Sequence, residues 1–159
     1  MRSAIEAALD ANPHPNPRVG SIVLDPSGSV VGRGIHREAG EPHSEQAAIA
    51  EAGDAARGGT LIVTLEPCNH HGRTPPCTEA ILDADIARVV IGAIDPDTRV
   101  AGGGVERLRE AGVEVTMGLL ADEVELMDPA YFHHRRTGRP RVTLKAAMTL
   151  DGQVAARDG

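Results

Sequence analysis

Two short segments carry the side chains of this sequence that are best suited to chemistry. The first is His43-Ser44-Glu45, and the second covers residues 64–77 and contains both cysteines of the chain. One imidazole and two thiolates suit a tetrahedral Zn²⁺ whose fourth position is left to water, as in a catalytic site. We therefore predict that His43, Cys68 and Cys77 hold one zinc ion per chain. Glu45, which is not needed as a ligand, is then available to move protons.

The cysteines admit two other interpretations, a disulfide between them or two inert buried thiols. The chain begins with an amphipathic pattern, and no stretch approaches the roughly 18 apolar residues of a membrane span. We therefore expect a cytoplasmic protein with no membrane partner. In that compartment thiolates are more plausible than a disulfide.

The spacing of the ligands matches a known pattern with one departure. His-x-Glu followed by Pro-Cys-x-x-Cys is the signature of zinc deaminases. Here eight residues separate Cys68 from Cys77, so the loop between the ligands is enlarged and filled with polar groups. Together with three further motifs, this loop makes the chain resemble the pyrimidine deaminases of riboflavin biosynthesis, within the cytidine-deaminase-like superfamily. The three motifs are Pro15-Asn16-Pro17-Arg18-Val19-Gly20, Gly32-Arg33-Gly34-Ile35-His36 and His43-Ser44-Glu45.

The resemblance implies a reaction and a set of site residues. The reaction is hydrolytic removal of the 2-amino group from 2,5-diamino-6-ribosylamino-4(3H)-pyrimidinone 5′-phosphate, with Glu45 as the catalytic proton carrier. The products are 5-amino-6-ribosylaminouracil 5′-phosphate and ammonia. The resemblance also implies that four residues bind the substrate: Asn16, His36 and His70 by direct contact, and Arg73 through the phosphate. Many family members have lysine in place of Arg73, and arginine keeps the positive charge.

A loop that begins at Asp95 resembles a family segment near the ribose or phosphate end of the substrate. Asp95 is therefore a further candidate for substrate binding. The family usually has Asn-Pro where this chain has Asp97-Thr98. A second carboxylate beside a phosphate repels it unless a cation intervenes, so we assign no role to Asp97. His71 is likewise treated as a spacer.

Two other functions fit parts of the pattern. A deaminase of a free base or nucleoside, such as cytosine, guanine or cytidine, would use the same zinc site, but an uncharged substrate would not require the cationic insertion around Arg73. A non-catalytic zinc-binding module would need a fourth protein ligand, which His70 or His71 would have to supply, and no proton carrier at Glu45.

Composition excludes other partners. The formal net charge is −7, which gives no general attraction for nucleic-acid phosphates. The aromatic residues are Tyr131 and Phe132 alone, too few for a surface on which bases stack. We expect a single small-molecule enzyme domain, since 159 residues are enough for one compact core.

Hydrophobic periodicity and turn residues predict strands that alternate with helices after an initial hairpin. This pattern favours an α/β fold, a three-layer α/β/α sandwich with a mixed sheet, in agreement with the cytidine-deaminase-like fold that the resemblance implies. On an ideal helix, side chains two residues apart point about 200° away from each other. His43 and Glu45 are two residues apart and must reach one site, so we expect His43 to lie at the start of the helix with non-helical backbone geometry. The predicted helices cover 2–11, 43–56, 76–84, 104–111 and 120–136 (one or a pair), and the predicted strands cover 19–24, 29–36, 60–64, 88–92, 114–117 and 141–147.

The end of the chain has a different character. We expect residues 1–138 to form the deaminase domain. From Arg139 onward the sequence resembles the opening of the reductase half that usually follows the deaminase in this family. Residues 139–159 are thus expected to be the start of an incomplete reductase domain or a loosely held C-terminal tail, with no nicotinamide site completed. The sequence is compatible with a shortened chain and with a natural fragment. It is also compatible with a homo-oligomer, and with a reductase that is either a further domain or a separate chain.

Overall fold

The computed structural model describes residues 1–72, 74–98 and 100–154. Within them the helices are α1 (Arg2–Leu9), α2 (Ser44–Ala52), α3 (Cys77–Asp83), α4 (Gly103–Glu110), α5 (Ala121–Met127) and α6 (Pro129–Thr137), with a short 3₁₀ helix at Gly53–Ala56. The strands are β1 (Gly20–Leu24), β2 (Val30–Ile35), β3 (Thr60–Leu65), β4 (Arg88–Ala93) and β5 (Glu114–Met117).

The strands form one mixed sheet in the order β2-β1-β3-β4-β5. Strands β2, β1 and β3 are antiparallel neighbours, and β3, β4 and β5 are parallel neighbours. Because parallel strands end at the same edge of a sheet, the loops that follow β3 and β4 meet there. The first of these loops contains both cysteines, and the second contains Asp95.

Adjacent residues of β1 show that helices cover both faces of the sheet. A Cβ added at Gly20 would lie 2.0 Å from the carbonyl oxygen of Ala4 in α1. The next residue, Ser21, instead has its hydroxyl 2.8 Å from that of Ser44 in α2. Since neighbours in a strand point to opposite faces, α1 and α2 lie on opposite sides. Helix α3 joins the layer of α2, α4 packs beside α3, and α5 packs beside α1, which confirms the predicted three-layer sandwich.

The core consists largely of aliphatic side chains, as the scarcity of aromatic residues requires. Apolar runs predicted β3 and β4, and most of their side chains are buried. The fully buried aliphatic residues include Val23, Leu61, Val63, Ile81, Val89, Ile91, Leu108 and Val124. None of the helices in the described part of the chain is both long and apolar enough to span a membrane.

Three predictions about elements need correction. The strand predicted over 141–147 is wrong: this stretch is irregular, with Val142 83% and Leu144 89% exposed, because it has no neighbouring strand to pair with among the described residues. The helix predicted over 43–56 changes to 3₁₀ geometry at Gly53. The helix predicted from residue 76 begins at Cys77, with Pro76 as its N-cap. Residues 121–137 form the pair of helices, separated at Asp128, and Pro129 is the first residue of α6.

Helix α2 lies directly against the backbone of β2, and two glycines permit this approach. A Cβ at Gly34 would lie 1.9 Å from the Ser44 carbonyl oxygen, and one at Gly32 would lie 2.1 Å from that of Ala48. Any larger residue would push the helix away from the sheet. The N-terminus of α2, with His43 and Glu45, is therefore placed by the absence of side chains at these two positions of β2.

We expect Gly34→Ala to destabilise the fold, because its methyl group would overlap the backbone of α2. Overpacking of this kind costs roughly 1–3 kcal/mol or more of the free energy of unfolding. Urea denaturation should show a lower midpoint. Gly103→Ala is the matched control, since a Cβ there meets nothing within 4 Å. Equal losses in the two variants would contradict the packing argument.

Candidate metal centre and its cavity

The three predicted zinc ligands come together in the structure. His43 is the N-cap of α2 with φ −69° and ψ 161°, the non-helical geometry expected from the sequence. Cys77 is the first residue of α3, and Cys68 lies in the loop after β3. The candidate ligand atoms of these residues all lie within 4.8 Å of one another. Among the described residues, neither His70 nor His71 joins this group.

The spacing of these atoms fits a tetrahedral zinc ion. Nδ1 of His43 lies 3.2 Å from Sγ of Cys77 and 3.5 Å from Sγ of Cys68. With Zn–S bonds of about 2.3 Å and Zn–N bonds of about 2.0 Å, the nitrogen and sulfur corners of a tetrahedron are about 3.5 Å apart. Both cysteines are free thiols, so the disulfide interpretation is wrong. The donor set is therefore the one that zinc prefers, at the separation that zinc requires.

The three candidate ligands affect one another's protonation. The pKa of Cys68 is lowered, chiefly by its hydrogen bond with the thiol of Cys77, and His43 acts in the same direction. The pKa of Cys77 is raised, chiefly by Cys68 and then by burial. The hydrogen bond with Cys68 raises the pKa of His43. Cys68 is therefore the thiol that ionises more readily, and a divalent cation placed between the ligands would favour the deprotonated form of both thiols.

Hydrogen bonds outside the ligand group hold the ligands in place. Gln46 accepts from the backbone N–H of His43 at 3.2 Å and donates to the carbonyl of Pro75 at 3.1 Å. It thus joins the N-terminus of α2 to the segment that leads into Cys77. The Thr74 hydroxyl lies 3.5 Å from Nε2 of His43, on the side of the ring away from the sulfurs. Such contacts orient a metal-binding imidazole.

Glu45 is buried beside this group, only 3% exposed. The Ser44 hydroxyl donates to Oε2 of Glu45 at 2.9 Å, and the Ser21 hydroxyl lies 2.8 Å from that of Ser44. Because a hydroxyl has one hydrogen, Ser21 must be the donor to Ser44. The pKa of Glu45 is raised, chiefly by burial and then by the charge of Cys68. Neither serine was predicted as a site residue, because nothing in their spacing distinguishes them from ordinary strand and helix residues.

Asn16 and His36 form a hydrogen-bonded pair. Nδ2 of Asn16 lies 2.9 Å from Nε2 of His36, and Nδ1 of His36 lies 3.2 Å from the carbonyl oxygen of Pro42. An amide nitrogen only donates, so Nε2 accepts and Nδ1 carries the proton. Burial lowers the pKa of His36, which favours this neutral form. The ring centroids of His36 and His43 are 5.0 Å apart.

Asp95 lies in a second polar cluster, which includes residues of α6. Its carboxylate accepts from the Tyr131 hydroxyl at 3.0 and 3.2 Å and from the backbone N–H of Asp97 at 2.8 Å. Burial raises the pKa of Asp95. Nη1 of Arg135 lies 3.4 Å from Oδ2 of Asp97. Tyr131 and Arg135 were not predicted as site residues, since their helix lies about forty positions away along the chain.

Glu66, between β3 and Cys68, connects the two loops of the site. It is 4% exposed, and its carboxylate accepts backbone N–H groups of Gly102 at 2.9 Å, Gly104 at 3.0 Å and Val105 at 3.2 Å. This carboxylate therefore caps the N-terminus of α4 and holds the loop after β4 against the loop that carries Cys68.

A cavity of about 710 Å³ joins these groups. Its lining includes the predicted site residues Asn16, His36, His43, Glu45, Cys68, His70 and Asp95. Cys77 is buried beneath it. His71 does not line the cavity but pairs with Glu79 at 3.6 Å, with its side chain 75% exposed. Arg73 lies outside the described residues.

Comparison with known proteins agrees with this site. The family model described as the zinc-binding region of cytidine and deoxycytidylate deaminases matches residues 1–93. The chain is 49% identical to the riboflavin biosynthesis protein RibD of Aquifex aeolicus, over 92% of this chain and 41% of that protein. It is 47% identical to RibD of Escherichia coli, over 92% of this chain and 40% of that protein.

A solved structure gives the same result for the fold. The diaminohydroxyphosphoribosylaminopyrimidine deaminase/5-amino-6-(5-phosphoribosylamino)uracil reductase of Thermotoga maritima superposes with a TM-score of 0.93 at 45% identity. The match covers 100% of this chain and 46% of that protein. This chain thus spans about two fifths of the length of its RibD relatives.

We expect Cys68→Ser to lose zinc, because it removes one of three protein ligands. Purified wild-type protein should contain about one zinc per chain, and the dialysed variant well under half of that. A chelator should lower the urea midpoint of the wild type and have little effect on the variant. His70→Ala is the control and should keep its zinc. Loss of zinc in that control would show instead that His70 closes the coordination shell.

Proposed function

Because the chain belongs to the cytidine and deoxycytidylate deaminase family, we propose that it catalyses the hydrolytic deamination of 2,5-diamino-6-ribosylamino-4(3H)-pyrimidinone 5′-phosphate. In this reaction water replaces the 2-amino group, giving 5-amino-6-ribosylaminouracil 5′-phosphate and ammonia. The similarity to RibD proteins supports this substrate among those of the wider family.

The observation that carries the proposal is a buried carboxylate beside three residues that could hold a metal ion. Glu45 lies two residues from His43, lines the same cavity and is not one of the grouped ligands. A structural zinc site would need a fourth protein ligand, which the described residues do not supply. When bound by His43, Cys68 and Cys77, zinc would supply a Lewis acid that allows water to ionise near neutral pH.

Glu45 is proposed to carry the protons of the reaction. It takes one proton from the attacking water as oxygen bonds to the ring carbon, and it passes this proton to the neighbouring ring nitrogen. It then takes the proton of the new hydroxyl group and delivers it to the amine, which leaves as ammonia as the C–N bond breaks and the carbonyl forms. The raised pKa of Glu45 suits a group that must hold a proton between these steps. The hydroxyls of Ser44 and Ser21 keep the carboxylate oriented during the exchange.

The remaining lining residues are proposed to position the substrate. With its nitrogen directed to His36, the side-chain amide of Asn16 can offer its oxygen to a donor on the pyrimidine. His36 and His70 contact the same molecule, and Asp95 binds towards its ribose. Arg73, between the two cysteines in sequence, holds the phosphate by charge. The cavity has the volume of sites that enclose whole small ligands.

We also propose a reductase as the functional partner, in a longer form of this chain or as a separate chain. The RibD relatives are more than twice as long as the matched region. Residues 139–154 are largely exposed beyond α6, and we propose that they begin the second unit, with residues 1–138 as the deaminase. The free thiols suit the reducing cytoplasm.

The direct test is ammonia release from four compounds by the zinc-loaded protein. The compounds are the proposed ribosyl phosphate, its dephosphorylated form, cytidine and guanine. Turnover of the ribosyl phosphate with the largest kcat/KM would support the proposal. A preference for cytidine or guanine would replace it with a nucleoside or base deaminase. Zinc binding without turnover of any compound, with or without an added reductase, would favour a non-catalytic module.

We expect Glu45→Gln to retain one zinc per chain but to lose most ammonia release. General acid–base groups contribute roughly 10²- to 10⁴-fold to the rate, and an amide cannot exchange the proton. The fall should appear in kcat, measured with metal content on the same sample. Glu51→Gln, on the same helix but outside the cavity lining, should behave like the wild type. Substantial activity in Glu45→Gln would remove Glu45 from the mechanism.

A further inference from the structure

Two adjacent arginines on α6, Arg135 and Arg136, each contact one aromatic ring and one carboxylate, but in different surroundings. Arg136 pairs with Glu125 through two contacts of 2.6 and 2.7 Å, and its guanidinium lies 5.2 Å from the ring centroid of Phe132. Arg135 lies 5.3 Å from the ring centroid of Tyr131, but its ion pair with Asp97 is 3.4 Å long. Arg135 lines the large cavity, and Arg136 does not.

The hydrogen-bonding capacity of Arg135 is only partly used. A guanidinium has five N–H donors. Nε of Arg135 is buried and has no hydrogen-bond partner among the described residues. The contact of Nη1 with Asp97 is longer than the roughly 2.7–2.9 Å of a strong charge-assisted hydrogen bond. The ion pair with Asp97 holds the guanidinium in place, and the side chain, which is 31% exposed, can still contact a ligand.

Arg135 is a positive group in a cavity whose described lining is rich in carboxylates. The described lining contains five carboxylates, Glu41, Glu45, Glu66, Asp95 and Asp97, and its only arginine or lysine is Arg135. A phosphate that entered such a cavity without a cation would meet net repulsion. Asp97 is the position at which the sequence required an intervening cation, and Arg135 lies against it.

We propose that Arg135 determines the specificity of the cavity for an anionic substrate by binding its phosphate. This inference rests on the proposed function. The ring of Tyr131 and the carboxylate of Asp97 set the position of the guanidinium, and a phosphate in the cavity would bind the part of the side chain that remains exposed. Tyr131 in turn donates to Asp95, so one end of the cavity is organised from α6. In this proposal Arg135 binds the phosphate in addition to Arg73.

The test compares Arg135→Met with Arg136→Met, two substitutions that each remove an arginine stacked on an aromatic ring of α6. For Arg135→Met we expect KM for the ribosyl phosphate to rise by about 10- to 100-fold, the effect of losing a hydrogen bond to a charged group. The rise should be at least about tenfold larger than for the dephosphorylated substrate, and it should shrink at high salt. Arg136→Met should match the wild type. Arg135→Lys should recover part of the loss, because it restores the charge.

A binding measurement separates this inference from the proposed reaction. Calorimetric titration of zinc-loaded protein with ribose 5-phosphate and with ribose should show a preference for the phosphate that Arg135→Met removes and Arg136→Met keeps. That result would support the inference even if no compound were deaminated. If the wild type deaminates the ribosyl phosphate but Arg135→Met weakens both substrates equally, or neither, the inference is wrong and the proposed function stands.

Discussion

The close contact between α2 and β2 is the constraint on which the site depends. Gly32 and Gly34 leave room for the helix backbone to lie on the strand backbone, so the N-terminus of α2 has little freedom. His43 can then take extended geometry while Glu45 lies within the first turn, which brings both side chains to one cavity. A site that requires positions accurate to a fraction of an ångström is built here on regular elements packed backbone to backbone.

Two buried carboxylates near the cysteines have different surroundings, which suit them to different roles. Glu66 accepts three backbone N–H groups at the start of α4, an arrangement that stabilises an ionised carboxylate and fixes a loop. Glu45 accepts one hydroxyl and lies near a thiol that readily ionises, and its pKa is raised. The environment, and not the residue type, separates a structural carboxylate from one that can exchange protons.

The cavity combines a soft metal-binding end with a polar end built by residues distant in sequence. At the first end, two thiols and an imidazole converge from a loop and two helix starts. At the second, α6 brings Tyr131 and Arg135 against Asp95 and Asp97. Because α6 follows the last strand of the sheet, this end depends on a part of the chain beyond β5. The two ends therefore depend on different parts of the core.

The sequence alone was enough to predict a candidate ligand set, a candidate proton carrier and the order of the elements. These follow from residue chemistry and local spacing: few residue types bind zinc, and the continuous apolar runs of β3 and β4 are visible without distant contacts. It did not reveal Ser21, Tyr131 or Arg135 as site residues, since a serine in a strand and an arginine on a helix have no local mark of function. It also predicted a strand at 141–147, because an apolar alternation does not say whether a neighbouring strand exists. Only the tertiary structure decided these points, since each depends on which distant backbone packs alongside.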